Sequence, residues 1–362
     1  MKDKFYKYSL GLSIILMVIF LFHLIKGNIE NGDPFLIFSL LALSFGVKGH
    51  KVLRGLSFTL LILAVASAAL FYPDVFLQLG SFETAELITP LIQLIMFGMG
   101  TSMGVKDFIA LARSPKAVII GVGCQFTLMP GLAFLIVSLA GFPEEIAAGI
   151  ILLGCAPTSV ASPVMCYLAK ANVALTITIV SITTLIAPFI IPFLMKFLAA
   201  GFIEIDTMAM MWNIIQIVLI PIGAGLLFNK FLAGKSDWLD KAMPYVSMAG
   251  IVVIVAIIIA AGQKSLINMG LMLLAAVLVH NVLGYFTGYW TAKFFKLEKQ
   301  DCRTIAITTG MQNAGLVSGI AKTMGKIATV GLASAVCGPL MGFTSSLLAS
   351  YWNAAKQNDR LP

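Results

Sequence analysis

The chain has 362 residues, of which 59% are hydrophobic and only 11% charged, with a mean hydropathy of +0.99. Ordinary soluble domains carry about 25% charged residues, so this composition excludes a water-soluble fold and makes the bilayer the solvent. The net charge of +8 does not point to nucleic acid, because the basic residues sit singly or in twos and threes between apolar runs, which is a topology signal.

The N-terminal MKDKFYKY and the SLGLSIILMVIFLFHLI that follows have the charged start and apolar stretch of a signal peptide. No small-x-small cleavage site comes next, so the segment reads as a retained first helix. Further apolar runs predict an all-α polytopic membrane protein with about twelve helical segments, at 8–26, 34–47, 54–71, 87–104, 117–139, 146–169, 172–198, 208–229, 243–262, 267–293, 304–321 and 327–352. Most are long enough to cross a hydrocarbon core about 30 Å thick; the second, PFLIFSLLALSFGV, crosses only if extended into its flanks. Cys124, Cys155, Cys166, Cys302 and Cys337 show no CxxC pairing and read as small packing residues, with no metal or disulfide role.

The distribution of Lys and Arg tests this map. With the N-terminus inside, 19 of the 24 basic residues fall in cytoplasmic loops and tails, the group Lys293, Lys296, Lys299 and Arg303 among them. The outer loops keep Lys26, Lys196, Lys264, Lys322 and Lys326 and carry Glu30, Asp33, Glu86, Glu144, Glu145 and other acids. Both termini are therefore expected in the cytoplasm, with the chain in the cell membrane. Beyond the first two segments (residues 1–53), ten remain. They divide into halves of five, 54–206 and 207–362, and an odd number of crossings gives the halves opposite orientation. Gly-rich polar interruptions beginning at Gly154 and Thr308 lie 154 residues apart, the spacing expected of an inverted repeat with a broken helix in each half.

The first interruption, GCAPTSVASPVMCYLAKAN, contains Pro157 and Pro163, each of which removes a backbone donor and disfavours a continuous helix. The second, AITTGMQNAGLVSG, sets Gln312 beside Asn313 in an apolar stretch. A break in hydrocarbon exposes N–H and C=O groups that need polar partners. Half-helix N-termini suit an anionic substrate, and unwound carbonyls, amides and hydroxyls suit a small cation such as Na⁺. The alternative at both places is packing alone, as a proline kink or as interhelical amide bonds. His280, next to Asn281 within AAVLVHNVLGYFTGYW, is the main titratable candidate inside the segments; the alternative is a neutral, hydrogen-bonded packing histidine.

FGMGTSMGVKDF at 97–108, GCAPTSVASPVMCYLAKANVAL at 154–175, HNVLGY at 280–285 and TTGMQNAGL at 308–316 resemble the signature segments of the bile acid:sodium symporter family. The resemblance runs from about Gly55 to Trp352. It implies a panel domain (54–104 and 208–262) and a core domain (117–198 and 267–352) in which two broken helices cross near two Na⁺ sites. Carried over by residue, one sodium site falls on Gln125, Thr308, Thr309, Met311 and Gln312, with Thr308 where the family has a Glu. The other falls on Ser162, Pro163, Thr176, Val180 and Thr308, and is degraded, since Pro163 and Val180 offer no side-chain oxygen. The substrate site falls on Thr158, Ser159, Val160, Ala161, Asn313 and Ala314, with His280 and Asn281 as further candidates.

These features predict a secondary transporter of a small organic anion, such as a bile acid, pantoate or a 2-oxo acid, with sodium as the possible coupling ion and no other cofactor. The alternative is a sodium-independent or proton-linked carrier on the same scaffold. An enzyme is not expected, because no HExxH or paired intramembrane aspartate is present; a membrane-embedded sensor is a remote reading.

Overall fold

The computed structural model of the protein describes residues 2–28, 31–50, 53–104, 114–232 and 237–358. Glu30, Lys51, residues 105–108 of the 97–108 motif, Arg113, Lys235 and Arg360 lie outside them. Every expected segment is occupied by helix: α1 Lys2–Ile25, α2 Asp33–Gly46, α3 Ser57–Phe71, α4 Ile88–Ser102, α5 Pro115–Ala140, α7 Val173–Leu198, α8 Thr207–Phe231, α9 Asp237–Ala261, α10 Gln263–Phe294 and α12 Leu332–Asn358. Two segments are interrupted, as α6a Glu144–Cys155 with α6b Ser162–Leu168, and α11a Lys299–Gly310 with α11b Ala314–Thr323. Among the described residues, nine helices are long and apolar enough to cross a membrane. The remaining three segments are α2, whose 14 residues reach about 21 Å, and the two broken helices. A short helix, Pro73–Leu77, and a two-stranded hairpin (β1 Gln78–Leu79, β2 Phe82–Glu83) fill the connection ahead of α4.

Two groups of helices pack together. One comprises α4 against α8 and α9, with α3 on α9; the other comprises α5, α6, α7, α10, α11 and α12. Small residues allow the close approaches. Gly100 on α4 and Gly225 on α8 each leave no room for a Cβ against the opposite backbone, at Ile222 and Phe97. On α10, Gly284 and Gly288 form a GxxxG pair: a Cβ at Gly284 would stand 2.9 Å from Gly310 Cα, and one at Gly288 2.9 Å from Thr309 Cβ. Helices in lipid gain from such backbone contact because apolar side chains alone have no preference for protein over lipid tails. The pairing brings α10 flush against α11a, directly beneath the second interruption. Helix α1 lies outside both groups, packed on α2, which in turn packs on α3.

One boundary changes a residue's setting. Hydropathy starts the eleventh segment at 304 and leaves Arg303 in a loop, but α11a begins at Lys299 and Arg303 is 4% exposed. Its Nη1 donates to the Ala169 carbonyl at the end of α6b (3.1 Å), and its guanidinium lies 5.6 Å from the Trp352 ring. A cation at a helix C-terminus meets the negative end of the dipole, and the indole face adds attraction, so burial is compensated.

At the opposite end of the same helices, Glu145 on α6a accepts from Lys326 Nζ and from Thr329 Oγ1 (2.6 Å). These hydrogen bonds, that of Lys326 foremost, hold its carboxyl below the usual carboxylate range. A depressed folded-state pKa adds stability that is present at neutral pH and lost as pH falls through that folded-state value. Glu145→Gln is expected to lower the melting temperature at pH 7 by about one degree, since the pair is partly exposed. The difference from the parent should vanish in acid, as measured by thermal unfolding of the purified protein across pH 3–8.

Candidate functional site

The two interruptions end their helices by different chemistry. Pro157 forces the preceding residue out of the helical region, and Ala156 has φ −67° and ψ 152°, which terminates α6a. Pro163 then sits in the first turn of α6b, where its missing N–H costs nothing. The second break has no proline. Met311 turns extended (φ −98°, ψ 109°), and Asn313 caps α11b by accepting from Leu316 N through Oδ1 (3.1 Å).

The breaks meet as a single antiparallel bridge between Thr158 and Gln312. Ser159 N donates to Met311 O (2.8 Å), and Asn313 N donates to Pro157 O (2.9 Å). A side-chain network closes over this bridge. Gln125 Nε2 donates to Ala156 O and to Gln312 Oε1 (both 2.7 Å), while Gln312 Nε2 donates to Thr309 O (2.8 Å). Thr158 Oγ1 lies 3.2 Å from both Gln125 Oε1 and Thr308 O, and Gln125, Thr158, Thr308 and Gln312 are fully buried. Gln125 reaches this point from a widened π-turn, Cys124–Leu128, in α5. That turn ends two residues before Pro130, whose ring would clash with the carbonyl four residues back in a regular helix. The π-turn Ile215–Leu219 in α8 stands in the same relation to Pro221.

The structure thus brings Gln125, Thr158, Thr308, Thr309, Met311 and Gln312 together. Most of their oxygens are engaged: Gln125 Oε1, Thr309 O, Met311 O and Gln312 Oε1 each accept a hydrogen bond, and Thr308 Oγ1 lies within 3.1 Å of Thr304 O and Ile305 O. Of the second set, Thr176 Oγ1 donates to Asn172 O (2.9 Å), the carbonyl that also accepts from Thr304 Oγ1 (3.1 Å). Val180 is buried without an oxygen to offer, and Ser162 Oγ is buried with no partner. Thr309 Oγ1 and Asn313 Nδ2 are likewise buried and unpartnered. Ser159 is buried with its Oγ accepting from Ala161 N (3.3 Å); Val160 is half-buried, Ala161 exposed and Ala314 9% exposed.

Asn281 reaches the second break, donating from Nδ2 to Gly310 O (2.8 Å). His280, 1% exposed, instead donates from Nε2 to Met129 O on α5 (3.0 Å), just past the π-turn. Sequence reasoning missed three participants. Thr344 on α12 donates to Asn281 Oδ1 (2.7 Å), and the polar run TSS at 344–346 inside an apolar segment was its signal. Asn172 caps α7 through Leu175 N (3.1 Å) and donates from Nδ2 to Asp301 (2.8 Å), an N-cap readable as Asn ahead of an apolar run. Thr304, beside it, gives no sequence signal of its own.

Known proteins match this sequence. The sequence profile of the sodium bile acid symporter family covers residues 89–269. The chain is 36% identical over 299 residues to the uncharacterized sodium-dependent transporter YocS of Bacillus subtilis, covering 83% of this chain and 91% of YocS. It is 30% identical over 329 residues to the probable sodium/metabolite cotransporter BASS1, chloroplastic, of Oryza sativa subsp. japonica, covering 88% of this chain and 79% of that protein. The corresponding BASS1 of Arabidopsis thaliana is 28% identical over 271 residues, covering 74% and 67%. With its apolar helices and crossed interruptions, the chain belongs to the sodium bile acid symporter family and is a multi-pass membrane transporter, not an enzyme.

Proposed function

We propose that the protein carries a small organic anion across the cell membrane by alternating access, coupled to no more than one Na⁺. The observation that carries this reading is Asn313. Its Oδ1 is committed to capping α11b, its Nδ2 is a buried donor without a partner, and both stand where the two breaks cross. A buried unpaired donor costs about 1–3 kcal/mol, and an anionic oxygen would relieve it while also meeting the positive end of the α11b dipole. The names of the relatives, sodium-dependent transporter and sodium/metabolite cotransporter, support sodium as the driving ion. A bile acid, pantoate or a 2-oxo acid each offers a carboxylate of the required kind.

In this reading residues 54–206 and 207–362 are inverted five-helix halves, and 1–53 adds two further crossings, with both termini in the cytoplasm. Helices α3, α4, α8 and α9 form the panel and the other six of the halves form the core. Two contacts hold panel to core at one end of α11b: Lys322 Nζ with Glu86 Oε1 (2.6 Å), and Gly319, where a Cβ would stand 2.8 Å from Ile92 Cδ1 and 3.1 Å from Ile217 Cδ1. Opening on that side requires both to part.

Sodium binding is weakened by Thr308. A monovalent cation in a low-dielectric site gains much of its binding from a formal negative charge, and here neutral dipoles alone offset its lost hydration. A sodium-independent or proton-linked carrier is the second reading, favoured by the engagement of Gln125 Oε1, Gln312 Oε1 and the Thr309 and Met311 carbonyls in internal hydrogen bonds. Counterflow with and without a sodium gradient separates the two.

Asn313→Ala is expected to weaken binding of any carboxylate substrate at least several-fold by thermal-shift titration, and an unchanged affinity would remove this pocket. Thr308→Glu should raise the stabilisation that sodium gives over choline, whereas the parent should show a shallow, non-sigmoidal response. Steep sigmoidal sodium dependence in the parent would refute the loss of a site. Joining Glu86→Cys to Lys322→Cys by a crosslink should stop transport, and thiol reduction should restore it.

A further inference from the structure

We propose that the paired helices α1 and α2 bind one acyl chain of an anionic phospholipid, with its phosphate held by Lys4, Lys7 and Lys48. A groove of about 720 Å³ runs between the two helices from Phe5 and Phe45 at one end to Leu16 and Pro34 at the other. Its walls are aromatic and aliphatic, with Tyr8, Leu12 and Phe38 more than half exposed, and its floor includes Ala42. The polar atoms near the floor are already satisfied: Ser9 Oγ donates to Ala42 O (2.7 Å), and Ser39 Oγ donates to Ser13 O (2.9 Å). The groove therefore asks for an occupant with no hydrogen bonds to offer.

Length and charge select the occupant. Phe5 to Leu16 is twelve residues, a rise of about 16 Å of helix, against about 15 Å for the hydrocarbon depth of one leaflet. A helix from a second copy would need a surface along the whole thickness. The exposed lysines sit at one mouth. Lys48 Nζ lies 4.9 Å from the ring of Phe45, itself a groove residue, and Tyr6 packs against the turn at Gly49, which brings Lys4 and Lys7 of α1 to the same level. All three lysines are exposed, and among the described residues none has a carboxylate partner. The other end of the groove carries Pro34, next to the buried Asp33. An apolar slot one leaflet deep, opening under exposed ammonium groups, fits a lipid tail beneath an anionic headgroup.

Titration of the purified full-length protein with dioleoyl phosphatidylglycerol and dioleoyl phosphatidylcholine, followed by native mass spectrometry, tests this. One phosphatidylglycerol should be retained in preference to phosphatidylcholine. The double variant Lys7→Gln/Lys48→Gln should lose roughly 25-fold of that preference, at about fivefold per basic residue, with its lipid-free melting temperature unchanged. Ala42→Phe, which fills the floor, should weaken both lipids at this site. The proposal fails if the parent shows no preference, if the double variant keeps it in full, or if the groove proves to be a dimer contact that Ala42→Phe abolishes. The lysine pair is exposed, so its result stands even if Ala42→Phe disturbs folding.

Discussion

Two helices stop among buried side chains, and the backbone groups they release must find partners away from bulk water. They find them in each other. Ser159 N and Asn313 N donate across the crossing to Met311 O and Pro157 O, and without these bonds each orphaned group would cost several kcal/mol. This exchange fixes the relative height of the two breaks to within a hydrogen bond. Gln125, Thr158 and Gln312 can then close over it as one fully buried set, and Asn281, propped by Thr344, can fasten Gly310 from behind. The site is a consequence of solving the backbone problem, not an addition to a finished scaffold.

Charge is distributed in keeping with that. The crossing is built from amides, hydroxyls and carbonyls, while the ion pairs Glu86–Lys322 and Glu145–Lys326 stand at partly exposed helix ends. Arg303 and Asp33 are the buried exceptions among the described residues, Arg303 being a guanidinium taken inside at the start of α11a. It meets a helix C-terminus and an indole face in place of a carboxylate. Together with Asn172, Asp301 and Thr304 it ties the end of α6b and the start of α7 to α11a, so the halves of the two broken helices on that side are held as one unit.

The features readable in the sequence were those with a local cause. Pro157 and Pro163 announce the first break, and adjacent Gln312 and Asn313 in an apolar run announce the second. Hydropathy located the long helices among the described residues because each must cover its own apolar length; the short helix Pro73–Leu77 escaped it. What escaped depended on tertiary partners. Arg303 reads as a loop residue because a buried arginine is costly until Ala169 and Trp352 are known to be there. Thr304 and Thr344 read as ordinary helical threonines because their partners are 132 and 63 residues away. The GxxxG pair on α10 and the two π-turns had local signals, in the glycine spacing and in Pro130 and Pro221, that hydropathy alone does not register.

The π-turn in α5 has an implication for how this helix tolerates change in length. Such a turn accommodates one residue more than a regular one, and in α5 it lies at the level of the crossing, with Pro130 immediately beyond. Deleting a single residue within 124–128 would remove that extra residue and return the turn to regular helix, in which the Pro130 ring meets the carbonyl four residues back. Gln125, which lies inside the turn, would then lose its place against Gln312. A substitution can be absorbed in this turn more readily than a deletion, so variation among related chains is expected to change its side chains and keep its count.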